Sequence, residues 1–66
     1  MNNNIKFYRK KKGLSHEELA AKSGVSRTTL SYLETGKQTD ITNSTMHNIA
    51  DALGYSVYTI FFKENV

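Results

Sequence analysis

Ser15, His16 and Glu17 stand side by side in this 66-residue chain and hold the three side-chain types of a hydrolytic triad. Their spacing defeats that chemistry: successive helical residues point about 100° apart, so they cannot relay hydrogen bonds to one another as a triad requires. Ser15 also has another use, since Glu18 three positions on completes a capping-box pattern at a helix start. Metal chemistry has as little to build on, because cysteine is absent and His47 is the only other histidine. His47 falls beside the apolar stripe of its own helix and reads as a surface or partly packed residue. No glycine-rich phosphate loop occurs. These residues therefore predict no enzyme, no cofactor and no metal. A different set does make a pattern. Arg27, Thr28, Ser31 and Tyr32, with Thr35 at the end, share one face at helical spacing. None is a bulky aliphatic group, and nearly all can hydrogen-bond to base edges or phosphates of a duplex.

Holding such a face outward takes a rigid frame, and the chain is punctuated for one. Glycines at 13, 24, 36 and 54 each follow a stretch of helical apolar spacing and stand where a helix would stop. The spacing predicts a first helix over 4–12, with Ile5 and Tyr8 inward and lysines at its end, where positive charge suits the macrodipole. A second runs over 16–23 from the Ser15 cap, with Leu19 and Ala20 inward. A third runs over 27–35 from a Ser26 cap, with Leu30 and Leu33 inward. Only Val25 separates Gly24 from Ser26, so 16–35 reads as a helix-turn-helix: Ala20 is small where the helices cross, and Gly24 can take the left-handed conformation of the turn. Lys37 to Ile41 reads as a loop. Thr42 then caps a fourth helix, in which Met46, Ile49, Ala50 and Leu53 follow i, i+3, i+4, i+7. The segment 56–62 favours strand by propensity, but a lone strand has nothing to pair with, so a short helix capped by Ser56 is expected.

A chain of this length is about half the usual ~100 to 150 residues of a domain, which predicts one domain over 1–66 with one core. Without disulfides its stability rests on local structure or self-association. The charge is lopsided. Residues 1–39 carry Lys6, Arg9, Lys10, Lys11, Lys12, Lys22, Arg27 and Lys37 against Glu17, Glu18 and Glu34, a net +5; residues 40–66 carry Lys63 against Asp40, Asp51 and Glu64, a net −2. That asymmetry points to a polyanion as partner for the first two-thirds. No apolar run approaches the ~20 residues of a membrane span, and the opening Met-Asn-Asn-Asn-Ile-Lys lacks the apolar stretch of a secretion signal, so the expectation is a cytoplasmic protein without membrane contact. The tail carries more apolar groups than one short helix can turn inward. Ile60 and Phe61 are expected to complete the core, and Val57, Tyr58 and Phe62, with Phe7, to form a symmetric dimer interface.

With these segments together the chain resembles the Xre-type, phage-repressor-like helix-turn-helix family over nearly its whole length. The resemblance is carried by Lys12-Gly-Leu-Ser-His-Glu-Glu-Leu-Ala20, by Ser23-Gly-Val-Ser-Arg-Thr-Thr-Leu-Ser-Tyr-Leu-Glu-Thr-Gly-Lys37, by Ile49-Ala-Asp-Ala-Leu-Gly54 and by 56–61. It implies an all-α, compact five-helix domain with helix-turn-helix at helices two and three. It further implies a homodimer that places helix three in the major groove and acts as a transcriptional regulator, most often a repressor, on a palindromic operator in double-stranded DNA. By position, Arg27, Thr28 and Tyr32 fall where the family reads bases, and Ser31 shares their face. His16, Thr35 and Lys37 fall where the family holds phosphates, and Ser26, Lys11 and Lys12 are added as phosphate candidates. In related repressors an arginine of helix one pairs with a glutamate of helix three, and Arg9 and Glu34 occupy those positions. The same fold also serves as the antitoxin of toxin–antitoxin pairs, so the alternative is a module that binds a partner protein and regulates its own operon. The chain departs from the family in His16 for a common glutamine, in Ser23 for an apolar residue, and in Ile41-Thr-Asn43 for a common Pro-Ser-Leu opening of helix four.

Overall fold

The computed structural model describes residues 3–64, so the outermost two residues at each end of the predicted domain lie outside the described residues. Its elements are α1 (Ile5–Lys11), α2 (His16–Ser23), α3 (Arg27–Thr35), α4 (Asn43–Leu53) and α5 (Tyr58–Phe62). Hydroxyl caps start three of them, as the sequence predicts. Ser15 Oγ accepts from the Glu18 amide at 3.1 Å while Glu18 Oε1 accepts from the Ser15 amide at 2.9 Å, a closed capping box. The bond from the Ser15 amide, with the Ser15 hydroxyl beside the carboxylate, holds the Glu18 carboxyl below the usual range. Ser26 Oγ accepts from the Thr29 amide and Thr42 Oγ1 from the Thr45 amide, at 3.1 and 3.2 Å. The stop after α2 is Gly24 at φ 74°, a left-handed conformation that L side chains resist. Ser23, apolar in many relatives by the resemblance above, is buried here and accepts from the Val25 amide at 3.2 Å, so its hydroxyl is spent inside the turn.

Two elements differ in detail from the expectation. The first helix is one residue shorter at each end, because Asn4 does not continue it. The α1 start is held by Asn3, whose Oδ1 accepts from the Ile5 amide at 3.1 Å. Asn4 reaches the other end of the chain: its amide donates to Ile60 O at 2.7 Å, and its Nδ2 to Thr59 O at 2.9 Å and Lys63 O at 3.0 Å. The tail is helical and not a strand, but it winds as a π-helix, closed by the Lys63 amide on Tyr58 O at 2.8 Å. Ser56 Oγ accepts from the Thr59 amide at 3.1 Å, so the predicted cap residue is used. Carbonyls at the end of so short a helix have no following turn to bond to, and Asn4 supplies those donors.

One apolar cluster ties the elements together. Ile5 and Tyr8 of α1, Leu19 of α2, Leu30 and Leu33 of α3, Ile49, Ala50 and Leu53 of α4, and Ile60 and Phe61 of α5 are all buried. Ala20, Val25 and Met46 pack at its edge. α2 lies against α3 and α4, and α1 touches α3, α4 and α5. Tyr8 stacks obliquely on Tyr55, with ring centroids 4.2 Å apart. Burying a Leu or Ile side chain stabilises by roughly 1.5 to 3 kcal/mol, and Leu30 and Leu33 apply that energy directly beneath the outer face of α3.

Candidate nucleic-acid interface

The buried pair Leu30 and Leu33 fixes the rotation of α3. With that stripe inward, Arg27, Thr28, Tyr32 and Thr35 are exposed and Ser31 is half-buried at the edge of the face. Some of these groups are already engaged. Thr35 Oγ1 donates to Ser31 O at 3.1 Å, and Ser26 Oγ donates to Thr29 Oγ1 at 2.8 Å besides capping α3, so both hydroxyls keep only acceptor capacity to spare. Lys37 lies just beyond the Gly36 stop, and its Nζ sits 5.0 Å from the Tyr32 ring centroid, a cation–π contact that ties the loop after α3 to the helix face. Lys11 and Lys12 are exposed, and each lies over an aromatic ring: Lys11 Nζ is 5.9 Å from the Phe7 centroid and Lys12 Nζ 5.4 Å from that of Tyr55. Lys12 lines a cleft with Lys22, Asp51 and Gly54, at the C-terminal end of α4.

Beneath the face lies a charged hub that joins three helices. Glu34 of α3, with its side chain 4% exposed, accepts from Arg9 Nε at 2.7 Å and from Nη2 at 3.1 Å, and Arg9 Nη1 donates to Leu14 O at 2.8 Å. This bidentate fork is the strong geometry for an arginine and a carboxylate. His16 at the start of α2 is the third member: its Nε2 lies 3.1 Å from Glu34 Oε1. That nitrogen is shut off from water and has no aligned hydrogen bond, so the contact is one of proximity. Burial pushes the Glu34 carboxyl up, but the hydrogen bonds and charge of Arg9, with His16 beside them, outweigh it and hold the group below the usual carboxylate range. A phosphate contact from His16 therefore falls to Nδ1 or requires the ring to turn.

One partner of Arg27 escaped the sequence reading. Glu17, on the first turn of α2, accepts from Arg27 Nη1 at 3.2 Å across the turn between α2 and α3. Opposite charges ten positions apart on two helices follow no local spacing rule, and only the turn geometry brings them together. At the other pole of the sequence reading, Phe7, Tyr58 and Phe62 are 44%, 62% and 58% exposed, whereas Val57 is half-buried and packs on the core. Among the described residues no cluster of metal-ligating side chains occurs and no helix is long and apolar enough to cross a membrane.

Two short helices packed across a capped glycine turn, the second held with its polar face outward, define a helix-turn-helix domain. Residues 5–60 match the family model described as helix-turn-helix, HTH_3, and the chain belongs to that Xre-like helix-turn-helix family. It is 38% identical over 61 residues to the HTH-type transcriptional regulator SinR of Bacillus subtilis, covering 92% of this chain and 55% of SinR. The chain thus spans about half the length of that relative. It is also 38% identical over 65 residues to an uncharacterized HTH-type transcriptional regulator, MJ0272 of Methanocaldococcus jannaschii, covering 98% of this chain and 97% of the other. Among solved structures, the N-terminal DNA binding domain of SinR from Bacillus subtilis superposes with a TM-score of 0.88 at 36% identity, covering 96% of this chain and 91% of that one. A SinR protein/SinI protein complex gives 0.86 at 37% identity, covering 94% of this chain and 60% of that one.

Proposed function

We propose that this protein is a sequence-specific double-stranded DNA-binding transcriptional regulator that works in the cytoplasm as a homodimer on a palindromic operator and represses by occupying it. The observation that carries the reading is the outer face of α3, a row of hydrogen-bonding side chains held outward by buried leucines, in a chain that superposes on the DNA-binding domain of SinR. In this reading Arg27, Thr28, Ser31 and Tyr32 meet base edges, and His16 and Lys37 hold phosphates, with Lys11 and Lys12 extending the basic surface. Ser26 and Thr35 join them when their hydroxyls turn from Thr29 Oγ1 and Ser31 O to donate to the backbone of the duplex. Arg27 carries most of the discrimination, since a bidentate contact of arginine with guanine is worth ~1 to 3 kcal/mol. The described residues extend 25 Å along their longest axis, and successive major-groove sites on one side of a duplex lie ~34 Å apart. One copy then covers one half-site, and a palindrome needs two.

Selection of binding sites from random duplex DNA with the purified protein, at two salt concentrations and beside Arg27→Ala, tests this. The expected result is a palindrome with half-sites about one turn apart, bound less tightly as salt rises, whose preference relaxes at one base position in the variant. Salt-sensitive binding with no enriched sequence would overturn it. A second reading has its own observation: Phe7, Tyr58 and Phe62 are exposed, and SinR is known in complex with SinI. In that reading the aromatic surface receives a different protein, and the chain regulates DNA as one half of a partner pair.

A further inference from the structure

We propose that Glu17 is a specificity-determining residue, which restrains Arg27 so that DNA lacking the right base is disfavoured. The inference rests on the DNA-binding reading above. Arg27 and Glu34 are the only charged residues of α3, and Glu34 is turned inward to Arg9. The outer face of α3 therefore carries one cation, and Glu17 neutralises it.

The fold does not account for that carboxylate. The Glu17 and Arg27 side chains are 77% and 65% exposed, and an exposed pair of this kind adds little stability. The capping box is made by Glu18, which also places an acid in the first turn of α2. What remains is the effect of Glu17 on what Arg27 can touch. A guanidinium has five N–H donors. Glu17 engages Nη1, leaving Nε and Nη2, a pair suited to a bidentate contact. A guanine edge is neutral and offers two acceptors, O6 and N7, so it can take the free pair while Glu17 stays in place. A phosphate brings its own negative charge. To claim Arg27 it must either displace Glu17 and leave that carboxylate facing the backbone, or share the cation with it. Glu17 thus weakens non-specific contacts more than the specific one.

The test is a four-way comparison of the full chain: wild type, Glu17→Gln, Arg27→Ala and the double variant. Each is titrated with a duplex selected by the wild type and with a random-sequence duplex. Glu17→Gln should raise affinity for the random duplex about two- to fivefold and leave the selected duplex nearly unchanged, so the specificity ratio falls by that factor. In the Arg27→Ala background the same change should leave the ratio as it was. An equal gain on both duplexes in the wild-type background would reduce Glu17 to plain charge repulsion and overturn the proposal. So would a fall in the ratio that persists without Arg27. If the wild type selects no sequence at all, the DNA-binding reading itself fails, which is a distinct outcome from either of these. Glutamine is nearly isosteric with glutamate and the site is exposed, so matching thermal melts will show that the variant is folded.

Discussion

Glu34 shows how one buried charge serves both stability and the placement of a surface. Removing Arg9 leaves that buried carboxylate with only His16 beside it, and breaking a buried pair from one side costs ~3 to 5 kcal/mol. Arg9→Ala should therefore lower the urea midpoint far more than any exposed lysine substitution, and Arg9→Met combined with Glu34→Leu should recover a large part of the loss. The pH dependence has a definite sign. The carboxyl is held below its unfolded value by Arg9 and His16, so between the folded and unfolded pKa values the unfolded chain binds more protons. The stabilisation is complete above the unfolded carboxylate value and disappears as pH falls through the folded one. Urea melts taken from pH 7 down into the acid range should show this limb in the wild type and not in Glu34→Gln; the same acid slope in both would show that other groups cause it. The Arg9 and Glu34 positions were legible only through the family resemblance, since residues 25 apart have no local rule to pair them. The approach of His16 to Glu34 was not legible at all: a helix-start histidine looks outward until the rest of the fold shows an acid behind it.

At the scale of elements, sequence and structure agree wherever the determinant is local. Ser15, Ser26 and Thr42 are legible as caps because the orphan amides they satisfy lie within three residues. The outward face of α3 is legible for the same reason, as the complement of Leu30 and Leu33. Agreement lapses where partners are far apart in the chain. Position 4 reads from the sequence as the first residue of the first helix, yet Asn4 ties α1 to α5, and Asn3 Nδ2 donates to Leu33 O at 2.9 Å. That long-range tie also goes with the wider winding of the tail, which propensity alone describes as strand. Gly24 offers a clean test of a local rule. A Cβ built there meets nothing within 4 Å, so crowding is not an issue, but φ is +74°. Gly24→Ala should then cost ~1 to 2 kcal/mol from the backbone alone, and Gly24→Asn less, because asparagine tolerates that region. Equal thermal midpoints for glycine and alanine would mean that the turn relaxes into another conformation.

For the whole molecule the open question is what covers the aromatic groups at the pole made by α1 and α5. Phe7 of α1 and Tyr58 and Phe62 of α5 are exposed on two elements that pack on each other, and an apolar patch marks a contact surface when it is contiguous. A symmetric dimer through this pole would be isologous, each copy giving and receiving the same side chains, and it would hold two α3 faces in fixed relation. Val57 is a poor probe of that contact: it packs on the core, so a charge there would unfold the chain before it reported on association. Tyr58 and Phe62 are better, because both are mostly exposed and neither belongs to the buried core. Tyr58→Glu with Phe62→Glu should leave the unfolding free energy at low protein concentration within about 1 kcal/mol of the wild-type value, as surface substitutions generally do. The same variant should abolish self-association in sedimentation equilibrium. On DNA it should bind a single half-site about as well as the wild type does and lose the advantage of the full palindrome, since linked binding disappears once the copies no longer hold each other. A variant that stays dimeric would move the interface elsewhere. A wild type that is monomeric yet still prefers the palindrome would place the cooperativity in the DNA, leaving the aromatic pole free for a different protein.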